Sequence, residues 1–355
     1  MSKERYYPQL DTLRAIAALG VINLHWLNSA YPSLYGIEHS SKWGFGQYGV
    51  QLFFVLSGFL ITDILLKNKE AKGKWNVIGN FYARRILRLF PIYYLLLLYL
   101  IVVKDVFVID NIGWFASYTV NIKLYLEGDL VDVWSNHLWT LSVEEQFYLI
   151  FPILFLFIPK KKELWLPCLF LVLAIAFKQM SVFSSQSKYL LTIAQTDMLG
   201  IGILLGIVKN RKVNLFTSIT TKSAKIVMIM TLSLCVIIYY MKSENSFIVG
   251  SFIYLMIIAF GLLVANTVDG FGGIVGKILN ISFFQYLGKI SYGLYLYHKV
   301  IPLSLLIILN KLDITIENII LYYVVNLSIL FVVSHFSWKF IEAPIIKLKS
   351  NFEYK

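Results

Sequence analysis

Arg14 and His25 stand eleven residues apart in the first apolar stretch, LDTLRAIAALGVINLHW. Eleven residues nearly close three helical turns, so both side chains share one face and lie roughly 16 Å apart along the axis. A charge inside a membrane span costs at least ~2.5 kcal/mol on insertion scales, which makes it a functional candidate by default. His25 supplies a titratable base able to take a proton from a hydroxyl. Arg14 supplies a permanent cation for an anionic ligand at the other end of the face. Asp11, three residues before Arg14, can pair with it, neutralising the guanidinium for burial and orienting it toward a ligand.

Other chemistry-bearing residues fall into four segments. In NFYARRILRLFPIYY (80–94), Arg84, Arg85 and Arg88 are read at the inner mouth of the third span, with Arg84 and Arg88 on one face. Positive charge there can be purely topological, but guanidinium groups also form paired, geometry-matched bonds to phosphate. In NHLWTLSVEEQFYLIFP (136–152), Ser142 and Glu145 fit a capping box, which places Glu144 and Glu145 in the first turn of the fourth span. His137, Trp139 and the two carboxylates then resemble a carbohydrate-binding edge at the outer interface. In YLGKISYGLYLYHK (286–299), Ser291, Tyr295 and His298 share a helix face beside Lys299. Hydrogen bonding between helices is the plainer reading of that face; Tyr295 is also a candidate oxyanion donor. In HFSWKFIEAP (335–344), Glu342 can pair with an inner arginine and Pro344 is expected to end the helix. Ser57-Gly58 in GVQLFFVLSGFLIT (49–62) reads as a site of close helix packing. No base lies near Ser57 in sequence, which argues against a serine nucleophile.

The elements that must position these residues are membrane helices. The chain has 355 residues, 58% hydrophobic and only 15% charged, unlike a soluble domain. Ten apolar stretches of near-spanning length occur at about 10–29, 47–66, 89–109, 142–158, 163–180, 189–208, 225–241, 246–266, 287–309 and 317–341. Runs this long exclude barrel strands, so the expected fold is an all-α integral membrane protein. Of 32 lysines and arginines, 24 fall on one side if both termini are cytoplasmic, seven on the other, and Lys299 lies within a span. This bias supports cytoplasmic termini and explains the net charge of +12 without nucleic acid. The first stretch, interrupted by Asp11, Arg14 and His25, is expected to remain as a helix rather than be cleaved. Cys168 and Cys235 read as inert packing residues in separate spans. The outer stretch 110–141 is too short to fold with a core of its own, so one polytopic domain covering 1–355 is expected. No metal-ligand spacing, phosphate-binding glycine loop, nucleophile elbow or dinucleotide fingerprint occurs.

In these motifs and their order the chain resembles the membrane-bound acyltransferase family 3. The likeness rests on LDTLRAIAALGVINLHW, FFVLSGFLIT at 53–62, YARRILRLFPIYY at 82–94, LWTLSVEEQFYLIFP at 138–152, ISYGLYLYH at 290–298 and WKFIEAP at 338–344. It implies about ten membrane helices, a cytoplasmic acyl-CoA donor, usually acetyl-CoA, and a hydroxyl acceptor; the dispersed histidines give no reason to expect a metal. Carried over by position, it implies His25 as the catalytic histidine and Arg14 as a donor-site residue. Arg84, Arg85 and Arg88 fall on the family's CoA-binding basic motif, and Glu144 on its serine-valine-glutamate motif, with Glu145 at the variable position beside it. Some members carry a C-terminal extracytoplasmic hydrolase-like domain; its lack here would favour a membrane-proximal or lipid-linked acceptor.

The expectation is a multi-pass inner or plasma membrane O-acetyltransferase acting on a cell-surface polysaccharide or its lipid-linked precursor. His25 and Glu144 would be catalytic, Arg14, Arg84, Arg85 and Arg88 would hold acyl-CoA, and Asp11, His137, Trp139, Tyr295 and His298 would bind substrate. Membrane lipids surround the chain; a second copy or partner protein stays open. The rivals are a transporter or flippase for a lipid-linked sugar, for which no repeat symmetry is found, and an acyltransferase with a non-sugar acceptor.

Overall fold

The computed structural model describes residues 6–30, 45–70, 73–128, 135–180, 186–241, 246–314, 316 and 318–354, which are mostly helical with no strand among them. The first three long helices are α1 (Pro8–Ala30), α2 (Phe45–Asn68) and α3 (Lys74–Val102). Short helices α4 (Val106–Asp110), α5 (Ile112–Ala116) and α6 (Val120–Leu126) follow. Then come α7 (Trp139–Phe157), α8 (Trp165–Gln179), α9 (Thr196–Arg211), α10 (Val213–Ser218), α11 (Lys222–Tyr240) and α12 (Ser246–Asp269). The last third holds α13 (Gly273–Leu279), α14 (Ser282–Lys289), α15 (Ser291–Tyr297), α16 (Val300–Lys311), α17 (Ile319–Ser337) and α18 (Ala343–Lys347).

Among the described residues, six helices are long and apolar enough to cross a membrane: Tyr48–Asn68, Lys74–Val102, Asn136–Phe157, Thr192–Arg211, Ser251–Asp269 and Ile320–Asn351. The pair α15 and α16, bent by 48°, makes a seventh if it counts as one broken span. Ten were expected. At 15 residues α8 is only about 23 Å long, short of a hydrocarbon core of about 30 Å.

α2 is the hub, packed most extensively on α9 and next on α1. The sequence allows this through small residues. A Cβ on Gly58 would lie 2.3 Å from the Leu199 carbonyl oxygen, and one on Gly202 2.2 Å from that of Val55. The two backbones therefore touch, as the Ser57-Gly58 pair led us to expect. The stretch after α3 is no free loop: Val108, Phe115, Val120 and Leu124 are fully buried in the main apolar core.

Four local expectations are corrected. The third span does not begin at 89; α3 starts at Lys74, so Arg84, Arg85 and Arg88 lie three to four turns inside it. Polar residues there are tolerated because they face protein rather than lipid. The capping box does not form, because a 3₁₀ turn at Asn136–Leu138 starts the helix earlier. Ser142 is buried in the helix interior with its hydroxyl unpartnered, and Glu144 and Glu145 fall beyond the first turn. Pro344 does not end the helix: a π-turn over Trp338–Glu342 leads into α18, where Pro344 sits in the first turn and needs no donor. Of the cysteines, Cys235 is buried but Cys168 is exposed rather than packed.

Candidate active site

A cleft of about 740 Å³, its mouth included, opens among α1, α2, α3, α7 and α15. Arg14 enters it from α1, Ser57 from α2, Arg85 and Arg88 from α3, Thr140, Glu144 and Tyr148 from α7, and Ser291, Tyr292 and Tyr295 from α15. Helical periodicity delivers each set: Arg85 and Arg88 are one turn apart, as are Thr140, Glu144 and Tyr148, and Ser291 and Tyr295.

The charges are held differently. Arg14 Nη1 donates to Asp11 Oδ1 at 2.9 Å, and the Tyr6 hydroxyl donates to Asp11 Oδ2 at 2.6 Å. The expected Asp11–Arg14 pair is present, with Asp11 orienting the guanidinium. Ser57 Oγ donates to Glu144 Oε1 at 2.8 Å, the Tyr148 hydroxyl donates to Glu144 Oε2 at 3.1 Å, and the two hydroxyls lie 2.9 Å apart. Arg85 stacks over the Tyr148 ring, 4.7 Å from its centroid. The cleft thus gathers three guanidinium groups around one hydrogen-bonded carboxylate, a setting that attracts anions.

Arg84 is the exception within the predicted clamp. Its Nη1 reaches the Phe352 carbonyl at 3.5 Å and its guanidinium lies over Tyr354 at 5.1 Å. Although i and i+4 to Arg88, it serves the C-terminal segment, and Arg85 takes its place in the cleft. Glu342 is buried and accepts from Ser337 Oγ at 3.3 Å.

His25 is not in the cleft lining. Its Nδ1 lies 2.7 Å from His298 Nε2. The ring centroids are 4.9 Å apart with planes inclined by 27°, so the two imidazoles meet end to end and nearly coplanar. His298 Nδ1 is 2.5 Å from the Tyr295 carbonyl oxygen, and the Trp26 indole donates to the His298 carbonyl at 2.7 Å. His137 Nε2 donates to the Leu296 carbonyl at 3.2 Å, and its ring stands edge-on to His298 at 4.8 Å. These bonds arise at the helix break. The bend between α15 and α16 frees the Tyr295 and Leu296 carbonyls, Pro302 four residues on offers the His298 carbonyl no N–H, and inside a membrane protein all three need other donors. Tyr295 connects the cluster to the cleft: its side chain lines the cavity while its carbonyl holds His298.

The predicted outer edge is not assembled. His137 is buried in the histidine cluster, Trp139 packs edge-on against Phe54 at 6.3 Å, and Glu144 lies in the cleft. Glu145 lies outside the cleft lining. The Tyr295 hydroxyl, proposed as an oxyanion donor, is engaged by Thr140 Oγ1 at 2.6 Å and the His137 carbonyl at 3.0 Å. Sequence reasoning missed Ser57 as Glu144's partner, and Tyr148 and Thr140 altogether. The i+4 spacing of Thr140, Glu144 and Tyr148 was the available signal. Among the described residues, no three His, Cys, Asp or Glu side chains are placed to hold a metal ion.

A family profile described as an acyltransferase domain matches residues 7–337. The chain belongs to this acyltransferase family. Similar proteins include the peptidoglycan O-acetyltransferase OatA of Listeria monocytogenes, 28% identical over 97% of this chain and 56% of its own length. The O-acetyltransferase OatA of Staphylococcus aureus is 26% identical over 98% of this chain and 58% of its own. A putative O-acetyltransferase of Staphylococcus aureus is 26% identical over 97% of this chain and 58% of its own. The chain thus spans a little over half the length of these relatives. No solved structure matches it.

Proposed function

We propose that the chain is a multi-pass plasma-membrane O-acetyltransferase that moves an acetyl group from cytoplasmic acetyl-CoA to a hydroxyl of a cell-wall or other surface glycan, or its lipid-linked precursor. The observation that carries this reading is the convergence of Arg14, Arg85 and Arg88 on one cleft whose lining residue Tyr295 holds the histidine cluster. The name of the Listeria relative supports a peptidoglycan-like acceptor.

In this reading the three arginines bind the phosphates of the donor, with Arg14 held in place by Asp11. Both termini face the cytoplasm, and the donor enters from that side. His25 takes the proton of the acceptor hydroxyl as its oxygen attacks the thioester carbonyl. The carbon–sulfur bond breaks and the departing thiolate recovers the proton from His25. Glu144, fixed by Ser57 and Tyr148, sets the charge balance of the cleft and orients the arginines.

The test is acetyl-CoA turnover by the protein in nanodiscs, wild type beside His25→Ala, with thiol release followed as lipid-linked glycans are added. Acceptor-stimulated release that disappears in His25→Ala supports the reading. Full activity in that variant would sink the role of His25, and failure to bind CoA would return the chain to the transporter reading, which the broken α15–α16 pair alone favours.

A further inference from the structure

The end-to-end contact of His25 and His298 has a direction. A carbonyl oxygen only accepts, so the 2.5 Å contact to Tyr295 requires His298 to carry its proton on Nδ1. His298 is fully buried with Lys299 next to it. Lys299 Nζ is held by Asn136 Oδ1 at 2.8 Å, and a dry interior favours a neutral imidazole over a further buried charge, so His298 Nε2 presents a lone pair. That lone pair faces His25 Nδ1 at 2.7 Å, which must therefore hold the His25 proton. The lone pair of His25 then resides on Nε2.

We infer that His298 is a positioning residue that locks His25 in its Nδ1–H tautomer, making Nε2 the nitrogen that takes the substrate proton. This rests on the reading of His25 as the general base. The bend after Tyr297 is what makes the lock: it releases the Tyr295 carbonyl, which orients His298, which orients His25. Trp26 binds the His298 carbonyl at 2.7 Å, so adjacent residues of α1 grip the bend at two points. His137, edge-on to His298 and bonded to Leu296, closes the other side. When His25 is protonated on Nε2, the His298 lone pair stabilises the imidazolium through the same Nδ1–H bond. That is the part a carboxylate plays in a serine-histidine-aspartate triad, performed here by a neutral ring.

Two measurements on the full chain in nanodiscs test this. In ¹⁵N-histidine-labelled protein, solid-state NMR should show His25, identified by its loss in His25→Gln, as the Nδ1–H tautomer. His298→Leu should move it to Nε2–H, the form imidazole prefers in water. A wild-type His25 already in the Nε2–H form overturns the inference whether or not His25 is catalytic. In turnover, His298→Leu should lower kcat about 100-fold and leave the acetyl-CoA KM within about twofold. His298→Gln, whose amide can donate to Tyr295 while its oxygen accepts from His25, should recover most of that loss. An inactive His25→Ala beside a His298→Leu with wild-type kcat would overturn the lock and leave the general base standing. A fully active His25→Ala would remove the general base, while the tautomer spectrum would still decide the lock.

Discussion

The Arg85 guanidinium rests 4.7 Å from the centroid of the Tyr148 ring, whose hydroxyl is bonded to Glu144. Ring and hydroxyl thus serve different partners. Such a cation–π contact is worth about 2 kcal/mol when desolvated. Tyr148→Phe should therefore leave the acetyl-CoA KM within about twofold, whereas Tyr148→Leu should raise it about tenfold by leaving Arg85 with only the more distant Phe81 ring, 5.4 Å away. Steady-state kinetics on the two variants checks this, and equal KM values would show that the ring does not hold the guanidinium.

Arg88 and Arg84 separate along the same helix. Arg88 lines the cleft while Arg84 engages Phe352 and Tyr354. Arg88→Ala, alone or with Arg85→Ala, is expected to raise the donor KM at least tenfold, and Arg84→Ala to change it less than threefold. Donor binding by calorimetry reads this directly. A large loss in Arg84→Ala with none in Arg88→Ala would reverse the assignment.

Gly58 and Gly202 set the distance between α2 and α9. With a new Cβ 2.3 Å from the Leu199 carbonyl, Gly58→Val should destabilise the protein by about 1–3 kcal/mol through overpacking. Thermal unfolding in detergent would show it, and an unchanged Tm would mean the helix pair separates freely.

Glu163 is 2% exposed and receives Lys69 at 3.0 Å and Arg211 Nη2 at 3.1 Å. Glu163→Ala leaves the buried Lys69 with only the Phe155 carbonyl as hydrogen-bond partner, while Arg211 keeps Glu70 at 3.7 Å, at a cost of about 3 kcal/mol. The same unfolding assay applies. Glu163→Gln should lose less, since its amide oxygen still accepts a bond.

How much of this was legible from sequence depends on whether the signal was local. Hydropathy located α2, α7 and α12 to within a few residues because lipid and core both demand apolar side chains. The Asp11–Arg14 pair followed from helical spacing. The start of α3 was hidden because arginines facing a cleft look in sequence like arginines at a mouth. The bend after Tyr297 left no mark in hydropathy, since a broken span is as apolar as a whole one. The His25–His298 contact spans 273 residues and depends on that bend, so no local pattern could announce it. No base stands near Ser57 in sequence, yet the fold puts Glu144, 87 residues on, against its hydroxyl. That bond reports a shared proton network and does not by itself make Ser57 a nucleophile.

The 29 residues of α3 make a rod about 44 Å long, set against a hydrocarbon slab of about 30 Å. Arg85 and Arg88 sit roughly 16 to 21 Å from its start, so the overhang can be absorbed by tilting or by extending past the headgroups. Either way, the depth of the arginines below the aqueous phase is set by acyl-chain length as well as by the protein. For the CoA donor proposed above, thin and thick bilayers would then offer paths of different length, which would make the surrounding lipid a determinant of that donor's affinity.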